Sequence, residues 1–326
     1  MHLTRRGLLA GAAAMPVALS GLPARGQANW PANDIHVICG FAPGTGADII
    51  TRFFAERLRP FTKRSSVVEN KPGAGATIAA EYVARAKPDG YTMLITPGSE
   101  FAGTPYLYKS LSHDPLKDFA PVTTLVRLPF ILCVAQNSPI NSVADFLKAM
   151  KEKGAKASYG YPNNLALVSG ELLKARTGLE SVQVAYKSTP DALNDLNNGV
   201  LDFIWADATF GLAQVAAGRL KMLAVTTRER SQLAPDTPTL QESGVPDYHV
   251  DAWFGAWYPA GTPQPIVTQT AKWLSEILAG DDAKTFFGTV ARADLFPGTP
   301  ESTAAFMKEE VARRAELYAL AKIPRQ

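Results

Sequence analysis

Two glycine-rich segments carry the strongest chemical signal in this sequence: FAPGTGAD at 41–48 and NKPGAGAT at 70–77. Each follows a strand-like run and precedes a helix-like one. Glycine lets backbone N–H groups come close to a ligand, and the first turn of a helix offers unpaired donors at the positive end of its dipole. Both features favour an anion. Because the carboxyl ends of neighbouring parallel strands meet at one sheet edge, the segments predict a single anion-accepting crevice.

Tight turns alone also use Gly and Pro, so a single segment of this kind would indicate only a turn. The repetition of the pattern after two successive strands favours the binding interpretation. Asp48 closes the first segment and falls in the first turn of the next helix. A carboxylate at that position caps a helix or complements its dipole, so we interpret Asp48 as a structural residue and not as a catalytic acid.

A dinucleotide site is the main alternative at these loops. Gly44-Thr45-Gly46 and Gly73-Ala74-Gly75 each supply the first half of the G-x-G-x-x-G pattern. Ile49 and Ile78 stand where the third glycine is required, which weakens the match. Because the first half of the pattern is nevertheless present twice, an exported nicotinamide-dependent oxidoreductase stays open as the alternative function.

The sequence contains few other candidates for catalysis. His36, His113 and His249 are scattered without paired ligand spacing, so no metal site is predicted. No G-x-S-x-G nucleophile motif occurs. Glu309 and Glu310 are adjacent in a charged helical segment, where we predict a solvated face. These observations predict a protein that is not an enzyme and holds no cofactor.

The amino terminus predicts export. A TRRGLL run at 4–9, an uncharged Ala-rich stretch and a small-residue site at 26–28 predict a cleaved twin-arginine signal peptide over residues 1–28. An ordinary secretory signal is the alternative. Cleavage takes away three of the 33 basic residues and none of the 30 acidic ones. The mature chain is then formally neutral, which removes the compositional indication of nucleic-acid binding.

Strand-like and helix-like segments alternate along the chain, which predicts an α/β protein with mainly parallel sheets. After the third strand-like run, YTMLITPG, we predict a loop, and a second set of units begins near Phe130. The pattern predicts two lobes, one from 29–128 plus 249–326 and the other from 129–248. We expect two helical segments after residue 263 to pack on the first lobe.

Cys39 and Cys133, the two cysteines, each lie within an apolar strand-like run. Two buried free thiols are the default prediction. A disulfide between them is the alternative in an oxidising compartment, although a chain of this length does not need one to fold.

Eight segments, in order, resemble the Bug family, the extracytoplasmic receptors of tripartite tricarboxylate transporters. They are FAPGTGAD, ENKPGAGAT, AKPDGYTML, DPLKDFAPVTTL, VAYKSTPDALNDLNNGVLDF, GRLKMLAVTTRERS, APDTPTLQESGVPDY and WFGAWYPAGTP. The resemblance covers almost the whole mature chain. It implies a two-lobed, type II-like periplasmic-binding-protein fold that closes on a ligand in the cleft between its lobes. It also implies a monomeric periplasmic receptor that passes a small organic acid to membrane permease subunits. A receptor that reports to a membrane sensor shares these features and is a further alternative.

Family members hold carboxylates largely through backbone N–H groups and ordered water, and this resemblance implies which residues contact the ligand here. In the first lobe they are Phe41, Ala42, Pro43, Gly44, Thr45, Gly46, Gly73, Ala74, Gly75, Ala76, Pro97, Gly98 and Ser99. In the second lobe they are Tyr161, Asn163, Asn164, Lys187, Ser188 and Asp207. For Lys187 the favoured role is structural, near the hinge, and pairing with the ligand charge is the alternative.

The sequence departs from the family pattern at several of these positions. Thr45, Ala76 and Ser188 stand where the family commonly has glycine, and the Tyr161 loop is bulkier than usual. The predicted pocket therefore has more side-chain volume and more hydroxyl and amide groups. We expect an organic acid other than a simple tricarboxylate, aromatic or dicarboxylic, with Tyr161 or Phe41 against its apolar part.

Overall fold

A computed structural model describes residues 30–186 and 189–325 of the chain. The strands are β1 (Ile35–Cys39), β2 (Ser66–Asn70), β3 (Thr92–Pro97), β4 (Phe119–Ala135), β5 (Ser158–Tyr161), β6 (Val182–Ala185), β7 (Phe203–Asp207), β8 (Leu220–Val225), β9 (Asp251–Pro259) and β10 (Asp294–Leu295). The helices are α1 (Gly46–Thr62), α2 (Thr77–Ala84), α3 (Gly98–Leu107), α4 (Val143–Lys153), α5 (Asn164–Thr177), α6 (Thr189–Asn197), α7 (Ala208–Ala216), α8 (Gln264–Ala279), α9 (Asp281–Thr289) and α10 (Pro300–Leu320). The predicted signal peptide at 1–28 lies outside the described residues.

One long strand, β4, joins two lobes. Its residues 119–129 pair with β9, in a sheet of order β2-β1-β3-β9-β4, and this sheet forms the first lobe. Its residues 130–135 pair with β7 and β8, and β5 and β6 continue this second sheet, which forms the second lobe. The predicted two-lobed α/β fold is therefore confirmed.

Strand β4 begins at Phe119, whereas the strand-like run around Cys133, FILCVAQ, begins at Phe130, so the start of the strand was predicted wrongly. Pro121 and Pro129 conceal the strand because proline lacks the N–H that a central ladder requires. The structure accommodates Pro121 beside an irregularity, where the register with β9 shifts between Pro121 and Thr123. The strand consequently passes through both prolines and belongs to both lobes.

Two helices were missed in the sequence. The segment after β3 is α3 and not a loop, and α9 is a third helix where two were expected after residue 263. Gly98, Gly103 and Pro105 give α3 a poor helical pattern. Close packing explains the glycines: a Cβ on Gly98 would lie 2.2 Å from the Trp253 ring, and one on Gly103 would lie 2.4 Å from the Tyr318 hydroxyl.

Helix α10 holds the two lobes together. Met307, near its start, belongs to a buried cluster of the first lobe, whereas Leu317 and Tyr318 belong to the core of the second. The segment packs on the first lobe, as expected, and its end also packs on the second lobe. In the described part of the chain, no helix is long and apolar enough to cross a membrane.

Glu310, on α10, is buried, which corrects the prediction of a solvated face for Glu309 and Glu310. Its carboxylate pairs with Arg314 at 2.9 Å and accepts a hydrogen bond from Trp253 Nε1 at 3.1 Å. Arg314 also donates to the Asp251 carbonyl at 3.1 Å. Of the two glutamates, only Glu309 lies on the solvated face of α10, because the helix turns Glu310 toward β9.

Candidate ligand-binding site

A cavity of about 420 Å³ lies between the lobes, within the size range of small-molecule sites. Its described lining residues are Phe41, Thr45, Gly46, Ala47, Ile49, Ile50, Pro97, Glu100, Leu128, Asp207, Thr209, Phe254, Val290 and Ala291. Most are apolar, and a few polar groups converge among them. Five of the predicted site residues are in this set: Phe41, Thr45, Gly46, Pro97 and Asp207.

The first turn of α1 presents backbone donors to the cavity. Thr45 caps the helix, and its hydroxyl oxygen accepts from the Asp48 N–H at 3.4 Å. The N–H groups of Gly46 and Ala47 have no acceptor among the described groups, and both residues line the cavity. Unpaired N–H groups at a helix N-terminus are suited to a carboxylate.

Asp48 fixes the loop that leads into this turn. Its carboxylate accepts from Gly44 N–H at 2.8 Å, Asn70 Nδ2 at 2.8 Å and Arg52 Nε at 2.9 Å. Burial alone would raise the pKa of Asp48, but these hydrogen bonds outweigh it and hold the pKa below its usual value. Asp48 is therefore a positioning residue: it ties the first glycine segment to the end of β2.

The second glycine segment packs beside the first but does not line this cavity. Gly73, Ala74, Gly75 and Ala76 all have positive φ, from 46° at Ala74 to 134° at Gly73, and form a tight turn before α2. A Cβ on Gly40, directly before the first segment, would lie 2.3 Å from that of Ala76, and Asn70 Nδ2 donates to the Phe41 carbonyl at 2.9 Å, so the two segments are in close contact. Ala76 has a left-handed φ of 71°, a conformation that favours glycine.

Other predicted residues of the first lobe flank the cavity without lining it. Ala42, Pro43 and Gly44 form the loop before α1, and the Ala42 carbonyl accepts from the Thr45 hydroxyl at 2.8 Å. Gly98 and Ser99 begin α3 and are buried, and the Ser99 hydroxyl has no hydrogen-bond partner among the described groups.

Among the predicted residues of the second lobe that the structure describes, one lines the cavity and the others do not. Asp207 lines the cavity and caps α7, accepting from Phe210 N–H at 2.9 Å. Asn163 caps α5, accepting from Ala166 N–H at 2.9 Å, and Asn164 is the first residue of that helix. Tyr161 ends β5 and packs against the second lobe's core. Lys187 and Ser188 lie outside the described residues.

Glu100 is the most informative lining residue that the sequence did not reveal. It lies in the first turn of α3, and its Oε2 atom is buried without a hydrogen-bond partner in the described part of the chain. Burial raises the pKa of Glu100 to about 7, against an opposing effect of the Arg314 charge. Its position directly after the predicted Ser99 was the available signal, but the missed helix concealed its orientation.

The remaining unpredicted lining residues come from distant parts of the chain: Ala47, Ile49, Ile50, Leu128, Thr209, Phe254, Val290 and Ala291. The Thr209 hydroxyl donates to the Ala291 carbonyl at 2.8 Å, which links the two lobes at the cavity wall. No group of three or more His, Cys, Asp or Glu side chains that could hold a metal ion occurs within residues 30–186 and 189–325.

A family model for the tripartite tricarboxylate transporter family receptor matches residues 50–320. The chain belongs to this family. A UPF0065 protein of Bordetella bronchiseptica is 30% identical over 310 residues, covering 94% of this chain and 92% of its own length. The membership confirms the resemblance inferred from the ordered motifs.

Two solved structures extend the similarity to three dimensions. R. palustris Rpa4515 with adipate has a TM-score of 0.76 and 31% identity, covering 91% of this chain and all of its own. The periplasmic binding protein BugD has a TM-score of 0.73 and 32% identity, with the same coverage. The family therefore consists of periplasmic solute-binding receptors. Neither the oxidoreductase nor the sensor-coupled alternative has support from these similarities.

Proposed function

We propose that this receptor captures a small carboxylate-bearing molecule in the cavity between its lobes and passes it to the permease subunits of a tripartite transporter. The observation that carries the proposal is the first turn of α1, where Gly46 and Ala47 face the cavity with unpaired N–H groups. The adipate bound to Rpa4515, a dicarboxylate, supports a carboxylate ligand. The apolar walls formed by Ile50, Leu128 and Phe254 suit an aliphatic or aromatic body.

The remaining site residues and the lobe boundaries are part of the proposal. We place the hinges near Leu128 and Tyr248, because β4 changes pairing partner at Phe130 and the chain re-enters the first sheet at Asp251. Closure about these hinges would bury the ligand. Ligand contact by Tyr161, in the second lobe, would then require the lobes to approach further. Contacts of the second glycine segment, Lys187 and Ser188 stay part of the proposal.

Several finer properties belong to the same proposal. The chain reaches the periplasm by the twin-arginine route, acts as a monomer, and binds without turnover or a cofactor. The arginine pair at 5–6 supports the route, and family membership supports a receptor over an enzyme. A spectrum of the purified mature protein tests the last point, because a stoichiometric nicotinamide would contradict it.

Gly46→Ala tests the site directly. A Cβ at Gly46 meets nothing within 4 Å, so the fold tolerates the added methyl group. The methyl group would, however, obstruct a carboxylate bound at this first turn of α1. We expect the Kd for the best ligand of an organic-acid panel to rise at least about tenfold by calorimetry, with no loss of melting temperature. Gly288→Ala, in α9 and equally free of contacts, is the matched control. Equal affinity of the Gly46→Ala variant and the wild type would contradict a carboxylate at α1.

A further inference from the structure

Two acidic side chains line the cavity in which a carboxylate-bearing ligand is expected to bind. Glu100 and Asp207 line it, and none of the described lining residues carries a positive charge. Asp207 has a donor in the Phe210 N–H, but Glu100 Oε2 is buried and has no partner among the described groups. A buried carboxylate without a donor is costly, so this wall lacks a hydrogen-bond donor or a positive charge.

Arg314, the cation that acts on Glu100 from inside the fold, does not meet this need. Arg314 is close enough to influence Glu100, but its Nη2 atom pairs with Glu310 at 2.9 Å and donates to the Asp251 carbonyl at 3.1 Å. Its Nε and Nη1 atoms are buried without a hydrogen-bond partner among the described groups and make no hydrogen bond to Glu100. Within the described chain, Glu100 forms no ion pair with it inside 4.0 Å. The partner that Glu100 lacks can therefore come from the ligand.

The chemistry of the two ends of the site differs accordingly. Gly46 and Ala47 offer N–H donors, which suit a carboxylate. A second carboxylate placed against Glu100 would face a like charge in an apolar cavity, where repulsion is strong. A protonated amine placed there would supply three donors and a positive charge.

We propose that the ligand is an amino acid in the broad sense, with its carboxylate at the first turn of α1 and its ammonium group at Glu100. This inference rests on the proposed receptor function and specifies the ligand class. Ile50, Leu128 and Phe254 contact the carbon chain between the two charges, and Asp207 adds negative potential from the second lobe.

The state of Glu100 makes the binding dependent on pH. The titratable or charged groups that act on or near Glu100 are Arg314, Tyr108, Tyr318 and Asp207. With a Glu100 pKa of about 7, the ionised form that attracts an ammonium group predominates above pH 7. Affinity for an amino acid should therefore be highest above pH 7 and fall up to about tenfold per pH unit below it.

The test uses pairs of probes that differ at one end only: 5-aminopentanoate with glutarate, and 6-aminohexanoate with adipate. Titration calorimetry of the mature protein near pH 8 should give at least about tenfold tighter binding of the amino acid in one pair. Glu100→Gln should remove this preference and leave the dicarboxylate bound equally or more tightly. Glu56→Gln, on the solvent face of α1 with 76% of its side chain exposed, is the control and should bind as the wild type does.

Each other outcome has a definite meaning. Tighter binding of the dicarboxylates in both pairs, unchanged by Glu100→Gln, overturns the ammonium site but keeps the carboxylate receptor. Binding of no probe in either pair overturns the amino-acid proposal, and only absence of binding across the whole organic-acid panel overturns the carboxylate receptor as well. If Glu100→Gln unfolds, the wild-type pH profile decides, because amino-acid affinity that is flat between about pH 5.5 and 8.5 contradicts a role for Glu100.

Discussion

The Thr209 hydroxyl donates a hydrogen bond to the Ala291 carbonyl at 2.8 Å, from α7 of the second lobe to the segment between α9 and β10 of the first. A second link lies nearby. Asp294, in β10, accepts from the Ser231 hydroxyl at 3.1 Å and from the Gln232 N–H at 3.0 Å. Both links join the lobes, and the first lies in the cavity wall, so we expect both to favour the arrangement that encloses a ligand.

Loss of the first link should weaken binding by favouring open lobes. Thr209→Val keeps the side-chain shape but leaves the Ala291 carbonyl unpaired, a cost of about 1–3 kcal/mol in the closed arrangement alone. We expect the Kd to rise by about five- to a hundredfold and the radius of gyration of the free protein to increase in small-angle scattering.

Two further variants separate closure from direct ligand contact at Thr209. Thr209→Ser keeps the donor and should bind nearly as tightly as the wild type. Ser231→Ala removes a link that does not line the cavity, and should raise the Kd by about fivefold. Normal affinity in Ser231→Ala together with a large loss in Thr209→Val would point to ligand contact instead of closure.

Asp48→Asn should loosen the first glycine segment. The amide keeps one acceptor oxygen but loses the charge that holds Arg52 and Gly44, and we expect about 1–3 kcal/mol of lost stability in urea unfolding. Asp281→Asn is the control: its side chain is 96% exposed, and the change should be within about 0.5 kcal/mol. Equal effects of the two substitutions would contradict the positioning role of Asp48.

The same carboxylate predicts a contribution to acid unfolding. Because the folded pKa of Asp48 is lowered, its contribution to stability is complete above the unfolded value of about 3.9 and is lost as the pH falls through the folded pKa. The stability difference between the wild type and Asp48→Asn should therefore be constant from about pH 5 to 7 and shrink below about pH 4. A difference that grows on acidification would have the wrong sign.

The first turn of α1 could be predicted because its signals are local. Strand, glycine loop, Thr45 and helix follow one another within a few residues, and a short stretch of sequence contains the whole arrangement. The link between Thr209 and Ala291 could not be predicted, because the residues are 82 positions apart and meet only after the lobes are placed. Glu100 lies between these cases. Its position next to the predicted Ser99 was visible in the sequence, but its orientation depends on the packing of α3, a helix that was missed because of its glycines.

The two cysteines should behave as separate, unreactive thiols. Both are free and buried, Cys39 in β1 of the first lobe and Cys133 in the second-lobe part of β4. Burial raises the pKa of each thiol, so little thiolate is available for reaction. Ellman's reagent should detect almost no thiol in the native protein. It should detect both thiols after the protein is unfolded in denaturant without reductant. Absence of any thiol in denaturant would indicate a disulfide instead.

Neighbouring glutamates on α10 offer the sharpest test of the lobe junction. Glu310 is 1% exposed and paired with the fully buried Arg314, whereas Glu309 is 57% exposed and pairs with Arg228 at 3.2 Å. Glu310→Gln leaves the Arg314 charge without its partner, and breaking a buried pair costs about 3–5 kcal/mol. Glu309→Gln removes a surface pair and should cost less than about 1 kcal/mol. Urea unfolding followed by circular dichroism measures both. If Glu309→Gln lowered the stability as much as Glu310→Gln, the face of α10 that carries Glu310 would not be the one packed against β9.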